Sequence, residues 1–529
     1  MSIGMAIPGI PRRGLFLRQT WVSGLAVVLA LVVSGAPCFA LEKDRKITDE
    51  SVTKATVARI NRAVGMDAAK IQASTSEGVV TLYGTAPTLE AKERAEWISQ
   101  GIRGVKSVEN RIKVQPAERT DAQIRDDVMA ALAANAVLGE SAKGIHAQVK
   151  DGAVTLSGET SSWQVSELAA SCAQDILGVR ELRNEIKVAR QGQPTDEQIS
   201  SQIQRRFGND AGLWGSHVRA DVRDGAVTLT GNVGSAAART RAIRDAEVSG
   251  VRSVEARGLV VRWRPSDGSA RRETPAVERT AVQTRDAVRD ALQYQPWLMG
   301  SHIDVAARDS EITLTGTVGT LRAKHVAERA ARDVVGVHQV RNELEVKPAS
   351  EPATKQLAEN VVSAMGRDAY LGDDKITATA NEPSGTVKLR GDVDSHYEAT
   401  RAGQIAASMA GVKAIDNELT VAGRTVEHSK SWLPGYYHPF ARVHPARGER
   451  TQQKNDTDLK SSIESEFFWS PFVDQDDVQV AVKDGVATLS GTVNDWGEHG
   501  AAIENAYEGG ARTVKDQLKV KHGPAVHRP

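Results

Sequence analysis

A glycine-rich string is the feature of this sequence that most resembles a ligand-binding loop. It reads KDGAVTLSGET at Lys150–Thr160 and returns as KDGVATLSGTV at Lys483–Val493. The backbone N–H groups of a glycine-rich loop can cradle a phosphate when a Lys-Ser/Thr pair follows the glycines. Neither copy has that pair. The string therefore predicts a tight hairpin turn and then a strand that ends at Gly158 or Gly491, and not a phosphate site.

Other residue types with chemical potential are few. His217 and His302 each follow a Gly-Ser pair at the start of a predicted strand, which supplies no second metal ligand at a suitable spacing. Cys172 occupies a position that other copies of the repeat fill with isoleucine or alanine, so we predict a core residue. The sequence has no G-x-S-x-G, H-E-x-x-H or C-x-x-C motif. These observations predict a protein that is not an enzyme, with no cofactor and no metal.

The glycine-rich string belongs to a unit that occurs six times, which indicates an array of domains. The pattern V-x-L-x-G, or a close variant, ends at Gly84, Gly158, Gly231, Gly316, Gly391 and Gly491. A second glycine follows 19 or 20 residues later, at Gly104, Gly178, Gly250, Gly336, Gly411 and Gly510. Because the register is the same in each copy, we interpret these glycines as requirements of the fold.

The spacing of apolar residues predicts the elements of one unit. Ile124, Val128 and Leu132 form one helical stripe in the second copy. Two alternating strands joined at Asp151-Gly152 follow, then a second helix and a third strand. Trp163 and Trp496, matched by Leu89 and Leu321, predict a hydrophobic staple at the start of the second helix. The predicted fold class is α+β, a tandem array of six small α-β-β-α-β domains, each with two helices packed on a three-stranded sheet.

The predicted boundaries follow the repeat register. They are 1–40 for a signal peptide, 47–115, 120–190 and 195–262 for repeats 1–3, 263–279 for a linker, 280–347 and 354–421 for repeats 4 and 5, 422–455 for a basic aromatic insertion, and 456–521 for repeat 6.

The repeated pattern resembles the BON domain family. The resemblance rests on the two glycines and on the closing segments VENRIKV, LRNEIKV, VRNELEV and IDNELTV. Ala256 and Asp516 replace the asparagine in copies three and six, where we expect the last strand to be anchored differently. The resemblance implies a non-enzymatic role in the cell envelope, with phospholipid-surface binding, protection against osmotic stress and maintenance of envelope integrity.

The N-terminal segment predicts export. Three arginines precede the apolar stretch Trp21–Gly35, and a cleavage site of mostly small residues ends at Ala40. We predict a periplasmic protein, anchored in the inner membrane if the signal stays uncleaved. The 67 basic and 67 acidic residues give a net charge of zero, which argues against nucleic acid as a partner.

Two segments do not follow from the repeat and are the predicted binding sites. They are the insertion 422–455, which is basic and aromatic, and the start of repeat 6, where aromatics cluster. The predicted lipid- or partner-binding residues are Trp432, Tyr436, Tyr437, Phe440, Arg442, Arg447, Phe468, Trp469 and Phe472. The predicted partner is an anionic phospholipid membrane surface or, alternatively, envelope proteins held by a scaffold or holdase chaperone. Alternatively, the insertion is a plain linker, and the aromatics at the start of repeat 6 cover the small core of that domain.

Overall fold

The computed structural model describes residues 47–62, 70–160, 162–188, 194–213, 216–262, 279–348, 352–372, 375–381, 384–393, 396–421, 424–425, 455–511 and 513–521. The predicted signal peptide, most of the 263–279 linker and most of the 422–455 insertion lie outside these residues. All the elements below belong to one structural unit, Thr48–Pro529.

Each repeat contributes its elements in the same order along the chain. Repeat 1 has α1 (Asp49–Arg62), β1 (Lys70–Ser76), β2 (Val79–Ala86), α2 (Leu89–Gln100) and β3 (Ser107–Val114). Repeat 2 has α3 (Asp121–Ala134), β4 (Ile145–Lys150), β5 (Ala153–Thr160), α4 (Trp163–Gln174) and β6 (Glu181–Val188). Repeat 3 has α5 (Asp196–Asn209), β7 (His217–Arg223), β8 (Ala226–Val233), α6 (Ala236–Ala246) and β9 (Ser253–Val261). Repeat 4 has α7 (Ala281–Gln293), β10 (His302–Arg308), β11 (Glu311–Val318), α8 (Leu321–Arg332), β12 (Gln339–Asn342) and β13 (Glu345–Val346). Repeat 5 has α9 (Thr354–Arg367), β14 (Thr377–Asn381), β15 (Thr386–Arg390), β16 (Asp392–Val393), α10 (His396–Ser408), β17 (Ala414–Asn417) and β18 (Thr420–Val421), followed by β19 (Arg424–Thr425). Repeat 6 has α11 (Asp456–Trp469), β20 (Val478–Lys483), β21 (Val486–Val493), α12 (Trp496–Glu508) and β22 (Thr513–Val520).

The sheets share one topology, which confirms the predicted fold class. The first two strands of each repeat are antiparallel, and the third lies parallel to the second on its other side. The second helix makes the crossover between the parallel strands, as such a connection requires. In repeats 4 and 5 the parallel pairing is interrupted, so that β13 and β18 continue it as separate short strands. β19, at the start of the predicted insertion, pairs with β18.

The core of each repeat lies between the helices and the sheet. In repeat 2 the predicted stripe Ile124, Val128 and Leu132 is at most 1% exposed, and Val154 and Leu156 are fully buried beneath it. A capping box, in which the Thr120 hydroxyl and the Gln123 side chain satisfy each other's backbone N–H groups, starts the first helix. The same box starts α5 and α7. Local capping and apolar periodicity together account for the helices.

The glycines of the recurring string have two different roles. Asp151 and Gly152 adopt positive φ values of 52° and 76°, as the predicted tight hairpin needs. Gly158 does not end its strand as predicted, because β5 continues to Thr160. A Cβ on Gly158, where φ is 134°, would lie 2.1 Å from the carbonyl oxygen of Gly144. This glycine therefore permits the close approach of the neighbouring chain.

An aspartate at the start of the first helix holds the hairpin turn in four repeats. In repeat 2 the Asp121 carboxylate accepts the N–H groups of Asp151 and Gly152, both at 2.9 Å. The equivalent carboxylates are Asp49 on Glu77 and Gly78, Asp196 on Asp224 and Gly225, and Asp456 on Asp484 and Gly485. One side chain thus joins helix and hairpin across about 30 residues of chain.

The third strand is anchored to the second helix by an asparagine in four repeats. In repeat 1 the Asn110 amide donates to the Lys92 carbonyl at 2.9 Å. Repeats 3 and 6 differ, as we expected. In repeat 3 the Arg239 guanidinium donates to the Ala256 carbonyl at 3.0 Å, and in repeat 6 the His499 Nε2 lies 3.0 Å from the Asp516 carboxylate. The helix supplies the donor in these two repeats because the strand has lost it.

We expect Asp121→Ala to release the hairpin of repeat 2. Two charge-assisted hydrogen bonds are lost, so amide exchange at Asp151 and Gly152 should accelerate by about tenfold, which corresponds to about 1.4 kcal/mol. The measurement is amide hydrogen exchange on the full chain. The control is Asp126→Ala, which removes an exposed carboxylate of the same helix that pairs with Arg125. Equal effects of the two substitutions would contradict the prediction.

Candidate functional site

The repeats dock on one another in three pairs, and the junctions between them are the main chemical feature of the described residues. Repeat 1 pairs with repeat 6, repeat 2 with repeat 5, and repeat 3 with repeat 4. In each pair the chain after the first helix of one repeat lies against the end of the second helix of the other. In repeats 2 and 5 this contact is reciprocal, with backbone bridges Asn135–Met409 and Ile176–Asp368.

The junction of repeats 1 and 6 is built around two arginines of repeat 1. The Arg59 guanidinium is buried and pairs with Glu466 at 2.8 Å and Glu508 at 3.0 Å. Burial lowers the pKa of Arg59, but Glu508 and Glu466 outweigh it and raise the pKa. Arg103 donates through Nε to the Ser470 carbonyl at 2.8 Å. Arg59 thus pairs with two carboxylates of repeat 6, and Arg103 donates to a carbonyl group at the C-terminal end of a helix of repeat 6, which the helix itself leaves without a hydrogen bond.

The junction of repeats 2 and 5 is built around Arg401 of repeat 5. Its guanidinium lies 2.7 Å from Asp368 of its own repeat and 2.6 Å from Asp175 of repeat 2. Glu90 of repeat 1 lies 3.8 Å away, so three repeats meet here. The Ala369 amide also donates to the Asp175 carbonyl at 3.0 Å. Side-chain charge and backbone hydrogen bonding therefore fix the same contact.

The junction of repeats 3 and 4 repeats this design with Arg241 of repeat 3. The Arg241 Nε donates to Asp210 of its own repeat, and Nη2 lies 3.5 Å from Asp333 of repeat 4. The Ala211 amide donates to the Asp333 carbonyl at 2.9 Å. Burial lowers the pKa of Arg241, but Asp210 and Asp333 outweigh it and raise the pKa strongly. The guanidinium stays charged because both repeats contribute carboxylates.

Carboxylic acids with a raised pKa also lie between repeats. Burial and then Asp175 raise the pKa of Glu93 to about 7, against a hydrogen bond from Gln174 that lowers it. Burial and then Glu167 raise the pKa of Glu247 to about 7, against the nearby Arg244 and Arg206. Glu93 is in repeat 1 and Glu247 in repeat 3, and both face acids of repeat 2. These contacts are favoured when the acids carry their protons.

The position predicted as a hydrophobic staple contacts a neighbouring repeat instead. Leu89 of repeat 1 packs into the core of repeat 2, and Leu321 of repeat 4 packs into the core of repeat 5. Trp496 of repeat 6 donates through Nε1 to the His338 carbonyl of repeat 4 at 3.2 Å. The prediction of a local staple was wrong for these three residues. The first residue of the second helix therefore takes part in packing between repeats.

Phe468, Trp469 and Phe472 of the predicted binding set lie at the junction of repeats 1 and 6. Phe468 is 7% exposed, and the Arg103 guanidinium lies 6.0 Å from the centre of its ring. Trp469 meets Phe468 edge to face at 5.1 Å between ring centres. Phe472 packs partly buried against the core of repeat 6. The structure thus places these three residues at one end of the first helix of repeat 6, while their role in lipid or partner binding stays a prediction.

The other predicted binding residues lie outside the described part of the chain. They are Trp432, Tyr436, Tyr437, Phe440, Arg442 and Arg447.

Other aromatics between the first helix and the first strand also sit between repeats. Tyr294 of repeat 4 lies 5.1 Å beneath the Arg206 guanidinium of repeat 3. Trp297 stacks on Arg322 at 4.0 Å and packs against the core of repeat 2. Burial raises the pKa of Tyr370, which lies beside acids and bases of repeat 1. This loop is therefore a second docking element of the repeats.

His217, His302 and Cys172 are the residues whose types could serve in catalysis or metal binding. His217 and His302 are the exposed first residues of their strands. Cys172 packs against the core of repeat 2, where its sulfur accepts from the Asn135 amide at 3.2 Å. Burial raises the pKa of the Cys172 thiol to about 11, which disfavours the reactive thiolate. Within the described ranges no cluster of three or more His, Cys, Asp or Glu side chains could hold a metal ion.

An open cleft of about 700 Å³ lies where repeats 4 and 5 meet. Its lining consists of three lysines, one acid and three apolar residues: Lys324, Lys347, Lys413, Glu345, Leu344, Val346 and Pro348. Lys347 also pairs with Glu345 at 2.9 Å. A cleft with lysines around apolar side chains has the chemistry to hold an anionic group that carries an apolar part.

Sequence reasoning missed the buried arginines, although a signal was present. Arg94, Arg241 and Arg401 all stand ten residues after the repeat glycine, on the buried stripe of the second helix. The other repeats have leucine, valine or alanine there. A charged residue on an otherwise apolar stripe indicates a partner beyond the repeat.

The comparisons with known proteins agree with the repeat register. The BON domain family matches residues 48–116, 120–190, 195–262, 280–348, 353–423 and 455–522. Osmotically-inducible protein Y of Escherichia coli (strain K12) is 30% identical over 136 residues, which cover 25% of this chain and 68% of that protein. Two of the solved structures that match have low TM-scores. CdsD, a structural protein of the type III secretion system of Chlamydia trachomatis, is 15% identical over 42% of this chain and 98% of that chain, with a TM-score of 0.12. The PrgH periplasmic domain is 14% identical over 42% of this chain and 97% of that chain, with a TM-score of 0.11. At these TM-scores neither structure bears on function. For the part of the chain that is described, no helix has both the length and the apolar content needed to cross a bilayer.

We expect Arg241→Met to open the junction of repeats 3 and 4. The substitution leaves the partly buried carboxylates of Asp210 and Asp333 without their counter-charge, which costs about 3 kcal/mol. The amides of Ala211 and Val335, which donate across this junction, should exchange at least a hundredfold faster, since 1.4 kcal/mol is about a factor of ten. The control is Arg223→Met, which removes an exposed arginine of the same repeat. Unchanged exchange in Arg241→Met would refute the assigned role.

We expect the docked arrangement to weaken as the pH rises from about 5 to about 8. An acid whose pKa is raised in the folded state, from 4.5 to about 7 for Glu247, contributes stability below its ordinary pKa. That contribution is lost as the pH rises through the folded value. Glu93 acts in the same sense, and burial and then Asp210 give Asp245 a raised pKa as well. His325 acts in the opposite sense, because burial lowers its pKa to about 4.

The informative quantity is therefore the difference between variant and parent chains. Thermal unfolding of Glu93→Gln/Glu247→Gln should depend less on pH than that of the parent over this window. Glu109→Gln, at an exposed carboxylate of the sheet, is the control and should leave the pH dependence unchanged. A double variant with the parent's pH profile would contradict the prediction.

Proposed function

This chain belongs to the BON domain family, and on that premise we propose that it is a non-enzymatic periplasmic protein of the osmotic-stress response that binds anionic phospholipid surfaces. The similarity to an osmotically inducible protein supports the stress role. The predicted export signal supports the compartment. The mechanism is reversible adsorption of a folded protein to an envelope membrane, with no covalent chemistry.

The lysine cleft at repeats 4 and 5 is the observation that carries the proposal. In this cleft Lys324 and Lys413 would bind a headgroup phosphate, and the apolar lining would contact the adjoining part of the lipid. The basic segment 422–455 leaves the same repeat 5 in the sequence. Each basic residue near an anionic surface contributes roughly 1 kcal/mol. Cleft and segment together would supply local positive charge in a chain whose net charge is zero.

Docking of the repeats strengthens such a mode of binding. Repeat 5 is fixed on repeat 2 through Arg401, and repeat 6 is fixed on repeat 1 through Arg59. Both ends of the segment 422–455 are thus attached to anchored repeats. Weak sites that are held at fixed separations bind a surface together and lose less entropy than sites on independent beads.

A scaffold or holdase chaperone for envelope proteins is the second function to weigh. The exposed Tyr83 of repeat 1 and Val260 of repeat 3, at 41% and 49%, are apolar positions on the sheets that such a protein would use. These two residues lie in different repeats, and single exposed apolar residues are common on protein surfaces, so we favour the lipid surface.

We expect the mature chain to float with vesicles that contain anionic phospholipid and not with neutral phosphatidylcholine vesicles. Arg442→Gln/Arg447→Gln should lower the partition coefficient by at least about tenfold, given the energy of each basic residue. Trp432→Ala/Tyr436→Ala/Tyr437→Ala/Phe440→Ala tests the aromatic part, and Lys324→Gln/Lys413→Gln tests the cleft.

The matched control is Lys113→Gln/Lys187→Gln, which removes two exposed lysines from the sheets of repeats 1 and 2. It should lower the partition coefficient much less than Arg442→Gln/Arg447→Gln does. Absence of binding to either vesicle type would exclude the lipid surface and leave the scaffold. Equal losses in the control and the test variants would contradict the assigned site.

A further inference from the structure

The three junctions divide the chain into two halves. We define the N-terminal half as repeats 1–3, within residues 48–262, and the C-terminal half as repeats 4–6, within residues 279–521. The pairs 1–6, 2–5 and 3–4 each take one repeat from each half. The contacts of the arginine junctions therefore cross from one half to the other.

Each half is also held together internally. In the N-terminal half the Thr240 hydroxyl of repeat 3 donates to Gln100 of repeat 1 at 2.9 Å, and Leu89 of repeat 1 lies in the core of repeat 2. In the C-terminal half Leu321 of repeat 4 lies in the core of repeat 5, and the Trp496 indole of repeat 6 reaches repeat 4. Each half thus presents its docking surfaces as a cluster and not as separate domains.

The charges at the junctions are complementary between the halves. The N-terminal half places Arg59 against acids of repeat 6, and Arg241 against Asp333 of repeat 4. The C-terminal half places Arg401 against Asp175 of repeat 2. Any other pairing of repeats would take from at least one guanidinium a carboxylate that it pairs with across the junction, which costs stability. The junctions therefore specify which repeat docks on which.

We propose that the two halves are complementary docking surfaces that recognise each other without the peptide connection, so that each half also fits the opposite half of a second copy of this chain. An exchange of halves between two chains reproduces the same junctions and closes as a dimer with two-fold symmetry. Within one chain the connection raises the effective concentration of the halves. The monomer is therefore favoured when the protein is dilute, and the exchanged dimer forms when chains fold together at high concentration.

The first test uses the full mature chain with a protease site introduced between residues 263 and 278. After complete cleavage the halves should elute together, at the size of the uncut protein. Halves that separate after cleavage would overturn the proposal. In the cut chain Arg59→Met/Arg241→Met/Arg401→Met should weaken the association of the halves by at least about two orders of magnitude. Arg111→Met, at an exposed pair with Glu109, is the control and should have no effect.

The uncut triple variant shows whether a loss of association reflects misfolding. It should keep the secondary structure of the parent by circular dichroism and elute without aggregation, because each repeat retains its own core. If it is unfolded, the three single variants are compared in the cut chain, and a weakened association in none of them would overturn the proposal.

The second test measures exchange between copies. Two differently tagged full chains are unfolded together and refolded, once dilute and once at about a hundredfold higher concentration. Mixed dimers that carry both tags should form at the higher concentration and be rare in the dilute sample. Mixing without unfolding should give none on the same timescale. Absence of mixed dimers after concentrated refolding would overturn the exchange of halves.

Discussion

The burial of a guanidinium group between repeats is the interaction on which this architecture depends. An arginine can be buried only when carboxylates and carbonyls compensate its charge, and removing them costs several kcal/mol. Arg59 takes its carboxylates from another repeat, while Arg241 and Arg401 combine one from their own repeat with one from another. Repeats that would otherwise be linked beads therefore become parts of one docked unit. Their small cores need not carry the stability alone.

The fold of a single repeat could be predicted because it follows from local rules. Alternating strands around Asp151-Gly152 and the stripe on the first helix specify the elements without reference to the rest of the chain. The role of Gly158 was interpreted wrongly, because it depends on a carbonyl that approaches from a neighbouring strand. The docking was not predicted for the same reason. It uses single residues such as Asp368 that differ from copy to copy, and a repeat pattern averages such differences away.

The sequence could indicate the candidate site only through its unusual amino-acid composition. Rare aromatics cluster at the start of repeat 6, and the sequence could not distinguish a surface for lipid from a contact between domains. The structure gives Phe468 a packing partner in Arg103 of repeat 1. Trp297 and Tyr294 likewise contact repeats 2 and 3. An aromatic residue near a loop indicates that its side chain packs against something, and only the three-dimensional structure shows whether that is a neighbouring repeat.

The differences among the six copies therefore carry the information that the shared pattern lacks. The shared glycines and turns build the same unit six times, so they cannot determine which unit docks on which. That choice requires residues that break the pattern, such as Arg401 on an apolar stripe and Asp175 opposite it. The same logic applies to binding. A ligand that all six repeats bound equally would need a site made of the residues that the repeats share. Those side chains already hold the hairpins and anchor the third strands. The segment 422–455 occurs once in the sequence, and the lysine cleft is described at the contact of repeats 4 and 5, so both suit a single, oriented attachment to a surface.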